Sequence, residues 1–197
     1  MNKSYKSFTG LKGFKYKVLE EGSSVKKVED IKFLQEITVS KDQSLEKAYG
    51  DDGIAEMATT NGPVELESTF HKMPIEDRTT IYGLSTSKEG LIGVGNNTPP
   101  YVAVMFTKTM EDGSTESVGL LKGMFTFPEM SGKTKEDSVE FSQDQSTGEF
   151  MQAPAKGFEE EQTMILGHDK KGSTAMHDLI YETIFGEKPT DGEEGSP

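Results

Sequence analysis

The chain has 197 residues, 34 acidic against 21 basic side chains, a net charge of −13 and no cysteine. Such a charge excludes a protein that grips nucleic acid through Lys and Arg clusters, and the missing thiols exclude disulfide frameworks, zinc–thiolate sites and cysteine nucleophiles. Leu, Ile, Val and Phe total 41, barely enough to escape a disordered composition, so one modest core is expected and not two. The remainder is expected to be loop, arm or surface buried against other copies of the chain.

Residues 1–12 read as a basic N-terminal arm. The first 19 residues hold Lys3, Lys6, Lys12, Lys15 and Lys17 and no acid, whereas the last twelve hold Glu187, Asp191, Glu193 and Glu194 against Lys188 alone. A basic start and an acidic remainder favour head-to-tail attraction between copies, although solvated chain ends account for the pattern equally well. Phe14, Tyr16 and Val18 alternate with polar or peripheral neighbours and predict a half-buried strand ending near Glu20. Within 31–39 the pattern is ambiguous, with Ile37 and Val39 favouring a strand in the second half. Residues 40–62 are polar, with Asp51-Asp52-Gly53 in the middle and Asn61-Gly62 at the end. They read as a long, functional loop.

Val64, Leu66, Ser68 and Phe70 alternate with Glu65, Glu67, Thr69 and His71, a period-two strand with one wet, acidic face. Pro74 precedes Glu76 and Asp77, which suit a helix N-terminus, and Gly83 terminates, so a short helix is predicted over 74–82. The runs 98–107 and 117–130 flank Asp112-Gly113, which supplies the backbone a tight hairpin turn needs. A polar loop over 128–137 follows, and then short strands at 139–142 and 148–152. Residues 154–174 are ambiguous. Met176, Leu179, Ile180, Thr183 and Ile184 fall at helical spacing and Gly186 closes a helix over 175–185. The segment 187–197 is predicted to be a disordered acidic tail.

Nothing in this order carries chemistry. His71, His168 and His177 match no metal-ligand spacing. Gly93-Val94-Gly95 lacks the third glycine and following helix of a dinucleotide loop. Asp51-Asp52 and Glu159-Glu160-Glu161 have no apolar pocket to shift their pKa values, and no Gly-x-Ser-x-Gly elbow exists. No catalytic residue, metal or cofactor is expected, and the chain is not expected to be an enzyme. No apolar run approaches the length of a membrane span, and no signal-peptide-like stretch follows the basic start. The expected setting is a cytoplasm, or release from one by lysis.

The order of pieces does resemble a known family. Tyr49-Gly50-Asp51-Asp52-Gly53 lies in a long polar loop after a lysine-bearing strand. The acidic strand 63–70, the helix 74–82 and Thr98-Pro99-Pro100-Tyr101-Val102-Ala103 come next. Leu121-Lys122-Gly123-Met124-Phe125 precedes the loop 128–137 and Glu140-Phe141. Over residues 10–153 this resembles the major tail (tail tube) proteins of long, non-contractile-tailed phages of Gram-positive bacteria.

The resemblance implies a mainly β, α+β fold: a β-sandwich or barrel over 13–153 with a flanking short helix. The segment 154–186, with its helix, is longer than the short endings of that family and reads as a C-terminal helical extension to it. The resemblance also implies homo-hexameric rings stacked into a tube that DNA traverses without specific binding. A tape-measure protein and distal tail and tail terminator proteins would be partners, in a host cytoplasm during assembly and then in a virion. The inter-ring loop would be 41–62, with Tyr49, Asp51, Asp52 and Gly53. Glu65 and Glu67 are candidates for the lumen, or equally for plain solvent or a neighbouring subunit, and Lys12, Lys15 and Lys17 for contacts between subunits. Two rival functions remain open: a β-sandwich module binding carbohydrate or a host surface, and a secretion-system tube protein.

Overall fold

The computed structural model describes residues 6–19, 27–51, 53–130 and 143–189. Along them run β1 (Phe8–Val18), β2 (Glu29–Ile31), β3 (Leu34–Gly50), β4 (Gly53–Phe70), α1 (Ile75–Ile81), β5 (Ser85–Thr86), β6 (Ile92–Gly93), β7 (Val102–Met110), β8 (Thr115–Thr126), β9 (Asp144–Met151), β10 (Met164–Asp169) and α2 (Ala175–Phe185). The fold is mainly β, with a large antiparallel sheet of order β2-β1-β7-β8-β9-β4-β3 and two short helices. β10 joins the same sheet beside β8.

The sheet curves so that one face encloses a core. Phe14 and Tyr16 of β1, Leu66 and Phe70 of β4, Val104 and Phe106 of β7, Leu120 and Phe125 of β8 and Phe150 of β9 all bury their side chains there. Phe14 meets Phe70 edge to face at 5.0 Å, and Phe125 meets Phe150 likewise at 5.9 Å; such T-shaped pairs use the positive ring edge against the negative face. Helix α1 packs against this core through Ile81. Arg78 reaches Asp144 at 2.7 Å, Asp144 accepts a second bond from the Met73 N–H, and the Tyr82 hydroxyl donates to Ser146 Oγ at 2.8 Å. Pro74 is the cap residue immediately before α1. On the other flank of α1 the Tyr16 hydroxyl donates to Asp77 at 2.7 Å. Burial and that bond raise the Tyr16 pKa, and burial raises that of Asp77.

A second cluster lies on the opposite face. Ala103 and Met105 of β7, Leu121 of β8 and Ile165 of β10 meet Ile180, Tyr181, Ile184 and Phe185 of α2. The composition had suggested one core, but β7 resolves the shortage by serving two: Val102 to Phe106 are all buried, alternate residues facing opposite ways. Helix α2 can lie this close because Gly119 sits beneath Ile184 and Ile180, where a Cβ would collide with both.

The region read as an extension from 154 is therefore part of the sheet. β9 pairs with Lys122–Thr126 of β8 and β10 with Thr115–Leu120, so the two lie end to end along one edge. Between them the chain makes an excursion, narrowed by the Ala153–Gln162 bridge. β10 was ambiguous in sequence because Leu166 and His168 are exposed, leaving a weak alternation.

Two further boundaries differ from the sequence reading. β1 starts at Phe8, inside the segment read as an arm, because β7 runs on to Met110 and offers Gly10, Leu11 and Lys12 a pairing edge. The segment 41–62 is not a loop: β3 and β4 stay paired from Leu34–Phe70 out to Gly50–Gly53. The hairpin β7–β8 and helix α2 fall where the sequence placed them, with Gly186 closing α2 in a left-handed conformation. The expected strand at 139–142 and most of the tail, from 190, lie outside the described residues.

Candidate functional site

The strands β3 and β4 begin at the body of the protein as a half-buried pair. Val64, Leu66, Ser68 and Phe70 point inward and Glu65 and Glu67 outward, as period two requires. Beyond Gly62 every described residue of both strands is exposed, on both faces. That distal ribbon, about 30 Å long at the usual rise of a strand, ends in a two-residue connection between Gly50 and Gly53. Asp51 there has a φ of 46°, a left-handed backbone that Asp tolerates better than most residues. Tyr49 and Gly53 flank the tip; Asp52 lies outside the described residues. Register shifts at Lys41/Gln43 and Ala48/Tyr49 mark bulges, and Gln43 donates to Asn61 at 2.9 Å across the first of them.

The second candidate feature is the bare outer face of β3, β4 and β9. Glu65 stands opposite Ser40 on one side and Glu149 on the other, and Glu67 opposite Thr38 and Thr147. Glu36, Thr38, Glu67, Thr69, Gln145 and Thr147 surround a shallow polar hollow of about 170 Å³. Glu65 and Glu149 are like charges directly across a ladder, a placement that costs stability. Lys122 of β8, opposite Met151 of β9, lies over the Tyr101 ring at 4.3 Å. Glu36 and Glu149 were not singled out in the sequence. Glu149 had a legible signal, the alternation Gly148-Glu149-Phe150, but its pairing with Glu65 depends on a strand order that no local pattern encodes.

The three lysines proposed for contacts between subunits separate. Lys12 is exposed, and Lys15 is only 8% exposed. Lys17 is committed within its own chain: its ammonium donates to the Phe185 carbonyl and to Glu187, both at 2.8 Å. It thus serves the C-terminal end of α2, where the helix dipole favours a cation. The opposite end of α2 is held by Asp169 of β10. Its carboxylate accepts from the Met176 and His177 N–H groups at 3.0 and 2.8 Å and from the Ser173 hydroxyl at 3.0 Å. Burial pushes this carboxyl's pKa up, yet the three bonds outweigh it and the net shift is downward.

Among the described residues, no three His, Asp or Glu side chains gather as a metal would require, and no helix is long and apolar enough to cross a membrane. His168 is exposed on β10, and His177 contacts its neighbour Asp178 at 3.0 Å. Compared with known protein families and with curated proteins, the chain matches none.

Proposed function

We propose that this protein is a structural subunit that assembles with copies of itself into stacked hexameric rings, forming the tail tube through which a phage passes its DNA. The observation that carries the reading is the distal β3–β4 ribbon, paired to its tip and buried nowhere. A two-stranded ribbon alone is marginal in water, and ordering each residue costs about 1–2 kcal/mol of backbone entropy. A surface on another subunit would offset that cost, as a bridge between rings does. Among the described residues β2 and β3 also lie at the two ends of the sheet order; edge strands are hazards in a lone molecule and interfaces in a closed ring. The face bearing Glu36, Glu65, Glu67 and Glu149 suits a channel wall, because carboxylates repel phosphates and let DNA slide.

Negative-stain electron microscopy of the purified protein at high concentration, with light scattering alongside, tests the proposal. Hollow tubes or six-fold rings are the expected result. A lasting monomer that binds cell-wall glycans would overturn it in favour of a binding module.

A further inference from the structure

The distal ribbon is two-faced. Leu45 pairs with Thr59 and Lys47 with Met57, and Tyr49 with Ile54 beyond the bulge. Partners across a ladder share a face and alternate residues along a strand return to it. Leu45, Tyr49, Ile54 and Met57 therefore share one side with Lys47, and Glu46 and Glu56 share the other with small residues. The four apolar side chains are 51–72% exposed. That is a contiguous apolar strip on an element with no core of its own, the kind of patch that marks a contact.

A complementary surface lies on α2. Ala175, Leu179 and Glu182 recur at helical spacing and, with Asp178, Lys188 and Pro189, line an open groove of about 400 Å³. Leu179 and its neighbour Met176 are exposed. Asp178 and Glu182 place two carboxylates along the groove against the ammonium of Lys188, and Lys156 pairs with Glu182 at 3.1 Å. The helix is a fixed platform, fastened at one end by Asp169 and at the other by Lys17. An apolar strip carrying one lysine is complementary in charge and character to a hollow that places Ala175, Leu179 and Pro189 beside the carboxylates of Asp178 and Glu182.

We infer that the Leu45–Tyr49–Ile54–Met57 face of one subunit docks in the α2 groove of a second copy, with Lys47 meeting Asp178 and Glu182. This rests on the self-assembly proposed above and assigns its two contact surfaces. The chain has no cysteine, so introduced thiols report contacts without background. Met57→Cys and Leu179→Cys proteins, each first shown by circular dichroism to keep the wild-type β signature, are mixed at assembling concentration and treated with a short bis-maleimide. Leu45→Cys with Met176→Cys serves as a second pair. The expected result is a cross-linked dimer in each mixture and at least a tenfold lower yield from any one variant alone.

A Met57→Cys dimer formed equally well without the helix variant would overturn the inference, since ribbons would then be pairing with ribbons. Rings or tubes in which neither pair cross-links would overturn the groove assignment and leave the assembly reading standing. Folded monomer at every concentration would overturn both.

Discussion

The inner and outer halves of the β3–β4 hairpin are built by the same two strands and the same ladder, yet they obey different rules. Near the body, Leu66 and Phe70 are fully buried and Glu65 and Glu67 are wet. Beyond Gly62 the alternation of burial stops while the pairing continues. The ladder thus continues where hydrophobic burial no longer specifies it, and a two-stranded ribbon of that kind is marginal in water without a further surface to cover it. On the reading proposed above, the difference separates residues that hold the fold from residues that serve a contact outside it.

The sharpest way to break this comparison is one substitution made in both halves. Leu66→Ala should cost about 2–5 kcal/mol in urea unfolding, the usual range for a buried leucine whose cavity cannot collapse. Leu45→Ala should stay within about 0.5 kcal/mol, as exposed sites do. Equal losses would mean that the outer half packs on the body in solution. A smaller effect is expected where α2 meets the sheet. Gly119→Val places methyls against Ile184 and Ile180 and should cost about 1–3 kcal/mol by overpacking, with part of the loss recovered on adding Ile184→Ala.

These sites also show what could be read in advance. The strand 63–70, the β7–β8 hairpin and α2 were legible because each carries a local period, 2 or 3.6, anchored by a turn or terminating glycine. The distal ribbon was not, because a strand wet on both faces has no period and reads as loop. Gly119 gave no warning at all: its role depends on a helix about 60 residues further on. For the candidate site, Tyr49, Asp51 and Gly53 were singled out as part of a long loop. That they sit at the end of a paired ribbon was not legible, and the intrachain bonds of Lys17 were hidden in the distant end of α2.

Smaller effects distinguish the polar fastenings of the body. Asp169→Ala removes the acceptor for the first turn of α2 and should cost about 1–2 kcal/mol at neutral pH, as lost caps do. Because its folded pKa is lowered, that stabilisation is present above the ordinary carboxylate value of about 3.9 and is lost as pH falls below it. Wild type and variant should therefore converge in acid denaturation. Asp77 has the opposite sign. Its pKa is raised by burial, so its charge opposes folding above that raised value and protonation relieves the penalty as pH falls through it. Asp77→Asn keeps an acceptor for Tyr16 and should raise the melting temperature slightly at pH 7, an advantage that fades on acidification. A fall in melting temperature would mean that the carboxylate itself, and not an acceptor, is required there.

The central claim, that the outer half of the hairpin serves assembly and not folding, is tested most directly by replacing residues 43–60 with Asn-Gly. Unfolding and negative-stain microscopy would then be measured beside the wild type. The account predicts a folded monomer with an unchanged unfolding midpoint that forms no tubes where the full chain does. Tubes of normal length from the shortened chain, or a shortened chain that fails to fold, would contradict it.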